Sequence, residues 1–111
     1  MTNIEFIKQN DFYMGVLCEG HTGYANYGKD IVCASVSSIV GALNIGITKS
    51  LGINANVKID DKRGYMEIRL PKKINEAKLK ECQLLFQTAY LALSDLQSGY
   101  PDNVNVEVKS L

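Results

Sequence analysis

Two residues in the first third of the chain have the types and the spacing of a nucleophile and its base. His21 is the only histidine among 111 residues, and Cys33 follows it after a short glycine-containing segment. An imidazole can remove a thiol proton, and the resulting thiolate can attack a carbonyl carbon. The protonated imidazole then gives a proton to the departing amine. The pair therefore permits, without requiring, the thiolate–imidazolium chemistry that cysteine peptidases use.

Each of these residues also has an ordinary structural explanation. A single loop histidine is commonly a surface or partly buried side chain, and cysteine is among the residue types most often buried. Cys18 ends an apolar strand and Cys82 lies on the inward face of the second predicted helix, and we assign both to packing. An odd number of cysteines without a close pair indicates reduced thiols and no disulfide framework or zinc knuckle. We expect no metal and no cofactor, because neither metal-ligand spacing nor a phosphate-binding loop is present.

The placement of Cys33 depends on a helix that is predicted to begin just before it. Asp30 can cap this helix, which we expect to run from Ile31 to about Leu51 and to stop at Gly52. Free amides and the macrodipole at a helix start favour a thiolate over a thiol and could stabilise an oxyanion. Asp30 could instead accept a hydrogen bond from His21, and the sequence leaves both roles open.

His21 lies in a segment that shows no hydrophobic periodicity. Before it, alternation in residues 3–8 and an apolar run in residues 12–18 predict two strands joined as a hairpin. The segment itself, Gly-His-Thr-Gly-Tyr-Ala-Asn-Tyr-Gly-Lys, contains three glycines. This composition predicts an irregular and mobile active-site loop over about residues 20–30.

The remaining elements complete an α+β pattern. Alternation around residues 57–59 and 66–70 predicts a second hairpin, residues 75–98 show the spacing of an amphipathic helix, and residues 104–108 alternate as a last strand. The order is β-β-α-β-β-α-β. We expect a single domain over residues 1–111, with a mainly antiparallel sheet packed by two helices. Because the first helix is apolar on nearly every side, it should be central or buried against a partner.

Charge and hydropathy limit the partners and the compartment. Lys and Arg together number 12, equal to Asp and Glu, so we expect no direct binding of nucleic acid. The uncharged stretch 31–48 includes three serines, an asparagine and two glycines, which is too polar for a membrane span. The N-terminus lacks the pattern of a signal peptide, and we expect a cytoplasmic protein.

The string GHTGYANYGKDIVCASVS, residues 20–37, resembles the signature of the ribosomal-processing cysteine protease family, Prp. Chain length and element order agree with that family as well. The resemblance implies a homodimeric cysteine endopeptidase that removes the N-terminal extension of a large-subunit ribosomal protein, L twenty-seven, during ribosome assembly. It implies His21 as the catalytic base, Cys33 as the nucleophile and Asp30 as a supporting acidic residue.

The resemblance also implies that the loop moves to admit and clamp the peptide. The residues predicted to contact substrate are Gly20, Thr22, Gly23, Tyr24, Tyr27 and, on the helix, Ser37. For the two tyrosines, packing on the domain itself is an equal alternative. For the whole chain, the alternative function is a non-enzymatic ribosome-associated assembly factor, which the small size and the absence of a second motif would fit.

Overall fold

A five-stranded sheet with two helices against one face forms the fold. The computed structural model describes residues 1–26 and 29–111. The elements, in chain order, are β1 (Thr2–Gln9), β2 (Phe12–Glu19), α1 (Ile31–Ile45), a π-helical turn (Gly46–Ser50), β3 (Asn56–Asp60), β4 (Tyr65–Arg69), α2 (Glu76–Gly99) and β5 (Val104–Ser110). The predicted α+β class and the β-β-α-β-β-α-β order are confirmed.

The strands lie in the order β3-β4-β2-β1-β5. Three of the four pairings are antiparallel, and β5 lies parallel to β1 at one edge. The turn between β1 and β2 has two residues, Asn10 and Asp11, with φ of 53° and 66°. These angles suit a tight turn whose twist matches that of the flanking strands. The sheet is therefore mainly antiparallel, as predicted.

Alternate strand residues form the core together with one face of each helix. Ile4 and Phe6 of β1 stand beside Cys18 and Val16 of β2, and Ile68 of β4 continues the same row. All five are at most 5% exposed. Helix α2 adds its buried residues Cys82, Phe86, Ala89 and Leu93 to this layer. The core therefore lies between the sheet and the helices.

Helix α1 differs from its prediction in two respects. Its α-helical part ends at Ile45 and a π-helical turn carries the chain on to Ser50, before Gly52 at φ +67° ends the helical segment. Its burial is one-sided, since Ile31 and Ile45 remain 57% and 52% exposed. Helix α1 is therefore not central in the single chain, and its burial against a partner, the other expected outcome, stays a prediction.

By length and composition the segment Ile31–Ser50 is apolar enough to cross a membrane, so the expectation that this stretch is too polar for a span is wrong. In this fold it packs on the core through Val32, Val36, Val40 and Leu43, with Ile47 in the π-helical turn. A buried face of this kind is also typical of a core helix.

Candidate active site

Asp30 organises the start of α1 and the loop before it. Its Oδ1 accepts the amide of Cys33 at 2.8 Å, which caps the helix. Its Oδ2 accepts the Thr22 hydroxyl at 2.5 Å and the amides of Tyr24 and Ala25 at 3.0 and 3.3 Å. Of the two roles that the sequence left open, the structure shows the cap. The same carboxylate also holds the loop in place through the hydrogen bonds to Oδ2.

These hydrogen bonds also set the ionisation of Asp30. Partial desolvation raises its pKa, but the bonds from Thr22, Cys33, Ala25 and Tyr24 together outweigh it. The pKa of the carboxyl therefore lies below its usual value, and the group stays ionised near neutral pH.

The loop is also fastened from the far end of the chain. Thr22 is 1% exposed, and its backbone carbonyl accepts the side-chain amide of Asn103 at 2.9 Å. The ring of Tyr24 stands edge-on against that of Tyr100, with centroids 5.4 Å apart. Both partners lie near the start of β5. The described part of the loop is thus held by contacts about eighty residues away.

Cys33 differs from the other two cysteines in its exposure. It is partly exposed in the first turn of α1, whereas Cys18 and Cys82 are buried. Burial raises the pKa of the Cys18 thiol to about 12. Burial also raises the pKa of Cys82, whose Sγ donates to the carbonyl of Leu79. Two buried and neutral thiols leave Cys33 as the cysteine suited to nucleophilic chemistry.

A cavity of about 710 Å³ lies between α1 and the hairpin formed by β3 and β4. Among the described residues, the predicted site residues on its wall are His21, Asp30, Cys33, Gly20, Gly23 and Ser37. The side chain of His21 is exposed, and its Nε2 lies 3.1 Å from the carbonyl oxygen of Lys62 in the β3–β4 turn. The structure therefore brings the imidazole and the thiol to one concave site.

Two predicted substrate contacts, Thr22 and Tyr24, are not on that wall. The side chain of Thr22 is buried, and the ring of Tyr24 packs edge-on against that of Tyr100. The described geometry thus gives no support to substrate contacts by these two, and for Tyr24 it shows packing on the domain. Tyr27 lies outside the described residues, and its contact with substrate stays a prediction.

Several cavity residues were missed by the sequence analysis. Ile45 and Ile59 both line the cavity and are more than half exposed. Asn44 also lines it, and in the described part of the chain its buried Oδ1 has no hydrogen-bond partner. Exposed isoleucines beside an unsatisfied amide suit an extended ligand with apolar and hydrogen-bonding groups. A sequence signal existed only for Ile45, as an apolar residue off the buried stripe of α1.

No metal site emerges from residues 1–26 and 29–111, because no group of three His, Cys, Asp or Glu side chains is placed to hold an ion. The acidic residue nearest the thiol in sequence, Asp30, already uses both oxygens for protein donors. The described cavity wall offers the thiol of Cys33 as a nucleophile and the imidazole of His21 as a base.

Replacing Asp30 with alanine should lower both stability and catalytic activity. The helix cap is worth about 1 kcal/mol, and three loop donors would lose their acceptor. Because the folded pKa is lowered, the charge of Asp30 stabilises the fold fully above about pH 4, and this contribution disappears as the pH falls through the folded pKa. Urea unfolding at several pH values, alongside peptide cleavage, measures both effects.

The matched control is Asn75→Ala, which removes the cap of α2, where the Asn75 side chain accepts the Lys78 amide at 2.8 Å. It should cost a similar free energy of unfolding and leave activity unchanged. Equal activity of the two alanine variants would show that Asp30 acts only as a cap.

Comparison with known proteins gives a consistent result. A family model described as cysteine protease Prp matches residues 1–105. The ribosomal processing cysteine protease Prp of Staphylococcus aureus is 32% identical over 97 residues, which is 85% of each chain. The protein of the same name from Bacillus subtilis is 31% identical over 88 residues, which is 78% of each chain.

Solved structures agree over the whole fold. A crystal structure from Streptococcus mutans superposes with a TM-score of 0.87 at 28% identity, covering all of this chain and 96% of the other. The S. aureus processing protease Prp, in complex with a covalently linked product peptide, superposes with a TM-score of 0.82 at 27% identity, covering 98% of this chain and all of the other.

Proposed function

The chain belongs to the cysteine protease Prp family, and on that premise we propose that it is an endopeptidase that removes the N-terminal extension of a large-subunit ribosomal protein, L twenty-seven, during ribosome assembly. The observation that carries the proposal is the cavity that His21 and Cys33 share. Its apolar wall, with Ile45 and Ile59 at the surface, suits an unfolded peptide segment better than a folded partner.

In the proposed mechanism, His21 takes the proton of the Cys33 thiol, and the sulfur attacks the scissile carbonyl carbon. The imidazolium then protonates the amine as the C–N bond breaks, and water hydrolyses the thioester with the same base. The S. aureus relative holds a covalently linked product peptide, which supports a covalent step. Asp30 supports this dyad by fixing the helix start on which Cys33 stands.

The oxyanion needs donors near the thiol. The amide of Cys33 donates to Asp30 Oδ1, and the amide of Ala34 donates to the Asp30 carbonyl at 3.1 Å. These two amides are already engaged. The candidate donors for the oxyanion hole at the helix start are therefore the amides of Ile31 and Val32.

We also propose a homodimer in the cytoplasm. Exposed Ile31 would be covered by a second copy, and reduced thiols persist in the cytoplasm. A molar mass near 12.3 kDa in solution would contradict the dimer, and recovery outside the cytoplasmic fraction would contradict the compartment.

The test is incubation of the purified protein with the extended ribosomal protein, followed by mass measurement of the products. We expect two products whose masses add to that of the substrate plus one water, with the cut in the N-terminal extension. The control substrate is the same ribosomal protein without its extension, which should remain intact. An uncut extended protein, under conditions in which the enzyme is folded, would refute the proposal.

A further inference from the structure

The imidazole of His21 is held by the turn that joins β3 to β4. Its Nε2 lies 3.1 Å from the carbonyl oxygen of Lys62. A carbonyl oxygen carries no proton and can only accept a hydrogen bond. The contact therefore requires that a neutral imidazole carry its proton on Nε2. The nitrogen that can then accept a proton is Nδ1.

Glycine at position 64 allows the β3–β4 turn to lie close to Gly20 and His21 at the end of β2. Gly64 has φ +62°, and a Cβ there would lie 2.7 Å from the carbonyl oxygen of Gly20 and 3.1 Å from Cε1 of His21. The first distance is shorter than non-bonded contacts tolerate, so any side chain would push the turn away from the end of β2.

The usual orienting group for a catalytic histidine is a carboxylate, and the sequence offered Asp30 for this role. Among the described residues, Thr22, Tyr24, Ala25 and Cys33 donate hydrogen bonds to its carboxylate. Both of its oxygens are thus engaged by donors of the loop and the helix. An acceptor that the described residues do place on the imidazole is the Lys62 carbonyl.

We propose that the β3–β4 turn is the positioning element of the base: the Lys62 carbonyl fixes the Nε2–H tautomer, so that Nδ1 is the atom that receives the Cys33 proton. The S–H bond breaks, its proton moves to Nδ1, and the sulfur electron pair forms the bond to the scissile carbon. The imidazolium keeps Nε2–H on the carbonyl dipole, which stabilises its charge. The proton on Nδ1 then passes to the departing amine.

The transfer of the Cys33 proton to Nδ1 rests on the proposed peptidase function. The tautomer of His21 does not, because it can be measured in the protein without substrate. Because His21 is the sole histidine, its two ring nitrogens can be read directly by long-range proton–nitrogen NMR on the whole chain. At a pH where imidazole is neutral, we expect Nε2 to be protonated and Nδ1 to be unprotonated in the folded protein. In urea, both tautomers should be present.

Folded protein with Nδ1 protonated, or with the tautomer mixture of the unfolded chain, would overturn the proposal. A fixed Nε2–H tautomer in a protein without peptidase activity would instead refute the proposed function and leave the tautomer assignment standing. Peptidase activity in a protein with the Nδ1–H tautomer would refute the tautomer assignment and leave the proposed function standing.

The variant that moves the turn is Gly64→Ala. We expect the tautomer ratio to shift towards that of the unfolded chain, and kcat to fall by roughly 10²-fold with a smaller change in KM, as for a misplaced catalytic group. The control is Gly52→Ala, which has a similar φ of +67° and nothing within 4 Å of its Cβ. It carries the same backbone strain and should keep the wild-type kcat and tautomer.

A folded Gly64→Ala protein with the kcat of the Gly52→Ala control would overturn the proposal. If Gly64→Ala does not fold, the tautomer measured in the wild-type protein decides the question.

Discussion

Cys33→Ala is expected to abolish cleavage of the extended ribosomal protein, with kcat/KM falling by at least ~10³-fold. In the proposed mechanism the sulfur forms the covalent intermediate, and no described neighbour can replace it, because Cys18 and Cys82 are buried. Mass measurement of the products over time gives the rate. The fold should survive, since Cys33 is only partly buried and its amide, which Asp30 accepts, is retained.

The matched control is Cys82→Ala, which removes a fully buried sulfur from the core. It should lower the free energy of unfolding by about 1 kcal/mol or more and leave cleavage unaffected. Alkylation gives an independent readout: a small electrophile should label the native protein at Cys33 well before Cys18, whose burial raises its pKa to about 12. Full activity of Cys33→Ala, or equal and slow labelling of all three thiols, would exclude Cys33 as the nucleophile.

The features predicted correctly from sequence are those set by local physics. Asp30 caps α1 because a carboxylate three residues before Cys33 can reach that residue's free amide. Gly52 ends the helical segment because it adopts a left-handed conformation at little cost. The strands follow from alternation, which is a property of each segment alone.

The features that were missed depend on residues far apart in the chain. Tyr24 packs on Tyr100, and Thr22 is held by Asn103, because β5 pairs with β1 and brings the end of α2 beneath the loop. Nothing in residues 20–30 encodes that pairing. The contact of His21 with Lys62 likewise requires β4 to lie beside β2, an arrangement fixed by sheet order and not by local sequence.

The one-sided burial of α1 has a related cause. Its apolar residues surround the helix, but the sheet and α2 can cover only one side. The remaining apolar residues, Ile31 and Ile45, face solvent or the cavity wall. Sequence periodicity predicts how much of a helix is apolar, and it does not say which part packs within the chain and which part is left for a ligand or a second copy.

His21→Ala is expected to lower kcat/KM by roughly 10²- to 10⁴-fold, the usual contribution of a positioned acid–base group. The thiol would lose its proton acceptor, and the leaving amine would lose its donor. Because this is the sole imidazole, the variant should also lose the limb of the pH–rate profile that reports imidazole ionisation. Initial rates across a pH series measure both effects.

A suitable control is Glu19→Ala, two residues earlier, whose exposed ion pair with Arg63 contributes little to stability. It tests whether any change at the end of β2 impairs the site, and it should retain most of the activity. A nucleophile without its base should also react more slowly with alkylating agents, so Cys33 labelling should slow in His21→Ala and remain fast in Glu19→Ala. If His21→Ala kept the wild-type rate, the pH limb and the labelling rate of Cys33, the imidazole would be only a neighbour of the thiol, and the base would have to be sought on another residue of the cavity wall.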